Sequence, residues 1–255
     1  MNSKYLKFSN KADTVSRIGL EKLGYSTKRN DPTTIGQFGS GIKFAPIAAL
    51  RNGWKWHFLG KDNRGVYHLE YTTVEEDGIE CIYYMYEDEL KPSSFTIDAG
   101  VLSWLDAFQI YREAVANAMD AVQSRDDWYI SVVDKDEVVY EDGWFNCFVT
   151  ASPELMEVHR NFDKYFCINR TPVAQYVKNH DGRKLKVFHK VDPQTRIYSN
   201  NVLVFATDKF NSIFDYDIQG IALNEERSVK SHWDIEIEVA IIISMLVDKA
   251  LFQVF

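Results

Sequence analysis

The sequence predicts an α/β protein in which a mixed, mostly antiparallel sheet is covered by helices. Three observations carry that reading. Runs of strand-forming residues bounded by turn residues recur in both halves of the chain. Segments with helical apolar spacing stand between them, the clearest being Leu102–Gln123, which has no internal Gly or Pro. The length of 255 residues, with 45% hydrophobic and 26% charged residues, is enough to bury a sizeable core without disulfides or metal.

Taken in order, Lys4–Phe8 is a short strand, and Thr14–Leu23 is a helix with Ile18 and the leucines on one side and Gly24 as its stop. Asn30–Gly41 is a loop rich in turn residues, and Ile42–Leu50 is a helix ended by Asn52 and Gly53. Trp54–Leu59, Val66–Thr73 and Glu80–Tyr86 form an antiparallel meander, because the loops between them hold Asp62, Asn63, Gly65, Asp77 and Gly78. Ser94–Asp98 adds a short strand. In the second half, Tyr129–Val133, Phe145–Thr150, Lys184–Val191 and Asn201–Ala206 read as strands. Ser152 caps a helix from Pro153 to about Tyr165. Ile235–Val254 is a long, very apolar helix, buried in the domain or packed on a partner. There is no internal repeat and no long linker, so a single domain is expected over 1–255. Residues 1–125 hold the legible motifs, and 126–255 complete the sheet and add the C-terminal apolar helix.

Composition narrows the function. The net charge of −8 argues against direct nucleic-acid binding through bulk charge. Cys81, Cys147 and Cys167 are dispersed and odd in number, which argues against a disulfide framework or zinc site and fits a cytoplasmic location. No signal-peptide core is read at Met1–Lys11. Val239–Val247 is too short to span a bilayer, so no membrane association is expected.

Glycine is scarce, at 13 residues in the chain. Three of them, Gly36, Gly39 and Gly41, fall together in IGQFGSGIK, just before a helix. Amides freed by glycine and aimed at a helix N-terminus form an anion site. The bland alternative is a turn that only reverses the chain. The loop is not a P-loop, since Ile42 and Lys43 stand where Lys and Ser/Thr are required. It is not a dinucleotide fingerprint either, since Phe44 stands in place of the third glycine. Kinase motifs and a GxSxG elbow are also missing.

In REAVANAMDA, Glu113, Asn117 and Asp120 share one helical face, opposite Ala114, Val115, Ala118 and Met119. Such a stripe can be a solvated surface. It also suits chemistry: an Asn oxygen can ligate a Mg²⁺ that holds phosphates, and a Glu one turn away can deprotonate a water.

Together the two motifs resemble those of the GHKL ATPases, the class of gyrase, the large heat-shock chaperone, MutL, histidine kinases and MORC proteins. Their E-x-x-x-N-x-x-D-A box is matched by Glu113, Asn117, Asp120 and Ala121. Their IGxFGxGxKSA-like box is matched by Ile35, Gly36, Phe38, Gly39, Gly41, Lys43 and Ala45. Leu23-Gly24-Tyr25-Ser26-Thr27-Lys28 resembles the LGxSxK of their ATP lid. The order is inverted, because here the glycine box comes first. A circular permutation accounts for that, with the old termini joined near Lys91–Val101. The meander Trp54–Tyr86 is then the half of the sheet that normally comes last, and the strands after Trp128 are the half that normally lies between the boxes. The family's DxGxG is absent. Ser9 or Asn10 is left as the acceptor for the base, Asp13 is the nearest acid, and base preference stays open.

The resemblance implies a Bergerat-type sandwich that binds ATP with Mg²⁺ and hydrolyses it slowly as a conformational switch. Glu113 would be the general base and Asn117 the Mg²⁺ ligand. Gly36, Gln37, Phe38, Gly39, Ser40, Gly41, Ile42 and Lys43 would cradle the nucleotide, with Lys28, Asp120, Ser9 and Asn10 as further contacts. Arg112 either supports Glu113 or lies on the surface. Two rival readings remain: a non-hydrolysing, nucleotide-gated interaction module, and a degenerate domain without nucleotide. A homodimer or protein partner fits the switch reading. A compact, permuted domain of this kind would suit a phage or mobile-element protein.

Overall fold

The computed structural model describes residues 4–22, 41–87, 89–99, 106–177, 184–209, 212–221, 223–224, 229 and 231–245. The chain is α+β, as its sequence predicts. It forms two compact units, Met1–Arg160 and Asn161–Phe255, where the sequence reading had one domain.

The first unit runs β1 (Lys4–Lys11), α1 (Arg17–Glu21), α2 (Gly41–Arg51), β2 (Trp56–Asp62), β3 (Gly65–Glu76), β4 (Ile79–Tyr86), β5 (Glu89–Thr96), α3 (Ala107–Asp120), β6 (Trp128–Asp134), β7 (Trp144–Thr150) and α4 (Pro153–Arg160). Its strands form one seven-stranded sheet in the order β5-β4-β3-β2-β7-β1-β6, with every pairing antiparallel. The expected meander is β2–β3–β4. Its second turn is tight because Asp77 and Gly78 both take positive φ, 51° and 79°. The meander joins the other half of the sheet through β2 and β7.

Side chains alternate across this sheet. Phe8 and Phe58 both lie opposite Cys147, and Phe8 meets Tyr111 of α3 edge-on at 5.1 Å. That face is therefore the helix-covered one. On the other face Tyr5, Leu59 and Phe148 pack with Val133, Val138 and Tyr140, so the β6–β7 connection folds back over it. The segment after β1 is tied to the meander by tyrosine hydroxyls: Tyr67 donates to Val15 O (2.9 Å), Tyr71 to Leu20 O (2.9 Å) and Tyr84 to Glu21 O (3.1 Å).

His57 is buried on the face opposite the helices. Its Nδ1 lies 3.0 Å from His68 Nε2, and among the described residues its own Nε2 has no hydrogen-bond partner. Burial first, then the charges of His68, Lys55 and Lys135, push its pKa down to about 3 from 6.5. The folded state thus holds His57 neutral while the unfolded chain takes up a proton below pH 6.5. The associated stability is present above pH 6.5 and is lost as pH falls from there toward 3. The expected loss is up to about 1.4 kcal/mol per pH unit. Melting curves from pH 7 to 5 should show it, and His57→Phe should flatten the profile. An equal slope in the variant would assign the acid sensitivity elsewhere.

The second unit holds α5 (Phe162–Tyr165), β8 (Ala174–Val177), β9 (Lys184–His189), β10 (Thr195–Ser199), β11 (Val202–Thr207), β12 (Phe214–Ile218) and α6 (His232–Met245). Its sheet has the order β11-β10-β12-β9-β8, with β10 and β12 parallel. The helix expected from Pro153 to about Tyr165 is broken into α4 and α5. Ile235 and Val239 of α6 join the core built on Leu185, Val187, Ile197, Tyr216 and Ile218, while Trp233 and Ile237 of the same helix are exposed. Among the described residues no helix is long and apolar enough to cross a membrane.

Candidate functional site

Helix α3 starts where Asp106 caps it, accepting from Phe108 N at 2.9 Å. Its fourteen residues hold no Gly or Pro, and it is buried on most of its circumference, from Ile110 through Ala116 and at Ala118. The polar stripe is therefore not a solvated face at its start: Glu113 is 0% exposed and Arg112 3%. A lone carboxylate at such a place would be costly. Arg112 Nε donates to Glu113 Oε1 at 3.2 Å, and the guanidinium lies 5.7 Å from the Phe108 ring. Of the two readings of Arg112, the structure selects support of Glu113.

Gly41, the last glycine of the box, opens α2. A Cβ built there would lie 1.9 Å from Glu113 Oε2 and 2.7 Å from its Cδ. Two motifs about 70 positions apart in the chain thus meet, and the missing side chain of Gly41 is what admits the carboxylate. Helix α2 is held at its far end by Arg51, whose Nε donates to Ile97 O at 2.7 Å. Phe44 meets Phe95 edge-on at 6.3 Å. Ile42 is half-buried. Lys43 is 1% exposed, and burial lowers its pKa to about 8.

One turn after Glu113, the half-buried Asn117 donates through Nδ2 to Glu113 O at 2.6 Å. That bond orients the amide so that Oδ1 is its remaining ligand end. Asp120, one turn further, is half-buried. Behind α3, Tyr111 Oη lies 2.8 Å from His159 Nδ1 and ties α4 to it. An Asn oxygen next to a carboxylate and a side-chain-free helix start is a donor set that fits Mg²⁺, which takes few protein ligands and keeps its waters. Among the described residues no group of three His, Cys, Asp or Glu is arranged to hold a metal by itself.

The other predicted residues divide. Ser9 is separated from the site: it alternates away from Phe8, and its Oγ donates to Asn146 Oδ1 at 2.6 Å on the opposite sheet face. The predicted strand ended at Phe8, but β1 continues through Lys11. Asn10 shares the face of Phe8 and is 3% exposed; its Nδ2 donates to Lys11 O at 3.3 Å. Lys28, Gly36, Gln37, Phe38, Gly39 and Ser40 lie outside the described residues. Asn146 was not singled out by sequence reasoning, because one Asn inside a strand carries no pattern. No protein-family model matches this chain, and no curated protein matches it.

Proposed function

We propose that the first unit binds ATP with Mg²⁺ and hydrolyses it slowly, as a permuted domain of the GHKL kind. The observation that carries this is the contact between Gly41 and Glu113. Two segments that separately fit a phosphate loop and a water-activating helix are brought together, and the glycine is required at the contact. The continuous sheet joining β1, β6 and β7 to the meander supports the permuted reading.

In this reading the α2 start presents its backbone N–H groups to phosphate oxygens. Asn117 Oδ1 would hold Mg²⁺, which neutralises charge developing on the phosphates. Glu113 takes a proton from the attacking water as its oxygen bonds to the γ-phosphorus, and the bond to the bridging oxygen breaks to leave ADP and phosphate. A second reading, nucleotide-gated binding without turnover, is favoured by the bond between Arg112 and Glu113, which occupies the proposed base.

Thermal shift and calorimetry with ATP, GTP and non-hydrolysable analogues, with and without Mg²⁺, test the proposal. ATP at 100 times its Kd should stabilise the fold by about 2.7 kcal/mol. Asn117→Ala should remove the Mg²⁺-dependent part of the affinity. No stabilisation by any nucleotide would sink the proposal, and an unchanged Mg²⁺ effect in Asn117→Ala would remove the metal assignment.

A further inference from the structure

Few buried side-chain polar atoms among the described residues lack a hydrogen-bond partner, and one of them is Gln109 Oε1 on α3. Gln109 stands one turn before Glu113 and two turns before Asn117. The three therefore share one stripe of the helix, and its middle member is the one that meets Gly41. Helical side chains lean toward the N-terminus, so the Glu113 carboxylate reaches back over the turn that carries Gln109. Gln109 itself is half-buried, yet its Oε1 is enclosed with no donor to meet it among the described residues. A buried acceptor left unmet costs stability, and an apolar side chain of the same length would not incur that cost.

The two Glu113 oxygens have different surroundings. Oε1 accepts from Arg112 Nε, and Oε2 is the oxygen turned to Gly41 and the start of α2. Glu113 Oε2 and Gln109 Oε1 are both acceptors, so neither can satisfy the other. A species with two hydrogens to give can join them, and water is that species. The remaining groups assigned to the site are the α2 N–H donors, Lys43 and a Mg²⁺ held by Asn117 Oδ1. None of these can receive the second hydrogen of a water that gives its first to Glu113.

We propose that Gln109 positions the attacking water, an assignment that rests on the ATP-hydrolysing reading of the first unit. The water donates one hydrogen to Glu113 Oε2 and the other to Gln109 Oε1, which directs a lone pair of its oxygen at the γ-phosphorus. That oxygen bonds to phosphorus as the bond to the bridging oxygen breaks and ADP leaves. The proton on the Glu113 side passes to the carboxylate and returns to solvent after turnover. The other hydrogen stays on the incoming oxygen and leaves with inorganic phosphate, so Gln109 accepts a hydrogen bond and takes no proton. A neutral amide suits the place, because a second carboxylate one turn from Glu113 would disfavour ionisation of both.

Steady-state ATP hydrolysis and thermal melting of the full chain test this with Gln109→Met, which keeps the length and the helix propensity but lacks the oxygen acceptor. Loss of the water's orientation should lower kcat at least about tenfold. KM for ATP should stay within about twofold, since no contact to nucleotide is removed. Tm should hold or rise, because the unmet acceptor is gone. In Gln109→Glu the acid limb of the kcat–pH profile should move to higher pH, as a second carboxylate beside Glu113 requires; an unmoved limb would place the side chain at 109 away from Glu113 and overturn the assignment. A kcat in Gln109→Met equal to that of a native chain that hydrolyses ATP would overturn it alone and leave Glu113 as the base. A lower Tm with kcat unchanged would make Gln109 a packing residue. A native chain without turnover would remove the hydrolytic reading and this assignment with it.

Discussion

Replacing Glu113 by Gln is expected to lower ATP hydrolysis at least about 100-fold, the lower end of what a positioned general base contributes, while nucleotide affinity survives. Gln keeps the shape and the acceptor oxygen that Arg112 Nε reaches at 3.2 Å in the native chain, but it cannot take the water's proton. Because Glu113 is 0% exposed, stability is the necessary control. The neutral amide leaves Arg112 without a full counter-charge, so a modest fall in Tm accompanies the change. Turnover and Kd must therefore be measured well below the variant's own melting point. Hydrolysis lost with binding intact places Glu113 at the water. Turnover equal to the native chain's removes it from the chemistry. A native chain that binds ATP but does not turn it over selects the nucleotide-gated reading instead.

The parts of this arrangement that were legible in the sequence are those where local pattern and tertiary environment agree. α3 lies within the predicted Leu102–Gln123, and β2, β3 and β4 follow the predicted meander, because apolar residues there alternate and turn residues sit between them. β10 and β12 were not legible. Arg196, Asp215 and Asp217 interrupt their apolar runs, yet all three are buried. Arg196 pairs with Asp192, four residues before it, but the charges of the two aspartates are met by residues distant in the chain: Arg170 lies 3.0 Å from Asp215, and Lys186 lies 3.4 Å from Asp217. A single-sequence pattern cannot see such a partner. β8 and the first part of β5, before the predicted Ser94–Asp98, show the same limit, since pairing with β9 and β4 makes strands of residues that carry little strand signal of their own. At the site, residue types and spacing pointed to Glu113, Asn117 and Gly41. Burial decided the rest: it made Arg112 a partner of Glu113, and strand alternation carried Ser9 to the wrong face.

Gly41→Ala is the sharper test of how the two motifs meet, because its sign depends on Glu113. Gly41 is not among the positive-φ glycines, so the backbone there accepts an L-residue and only the added methyl matters. That methyl would sit 1.9 Å from Glu113 Oε2, well inside contact distance, and a fully buried carboxylate has little room to retreat. In the native background, forcing the two apart should cost about 1–3 kcal/mol, as overpacking does. Displacing the carboxylate by an ångström should cut hydrolysis about 100-fold. In a Glu113→Ala background the obstruction is gone, and the same Gly41→Ala change should be neutral or stabilise by up to about 1 kcal/mol, the ordinary gain of Ala over Gly in a helix. Denaturant unfolding of the four proteins in this double-mutant cycle gives the coupling directly, and it should lie within about 0.5–3 kcal/mol. Equal costs in the two backgrounds would mean that Gly41 and Glu113 do not touch, and the contact on which the proposed nucleotide site rests would fall with them.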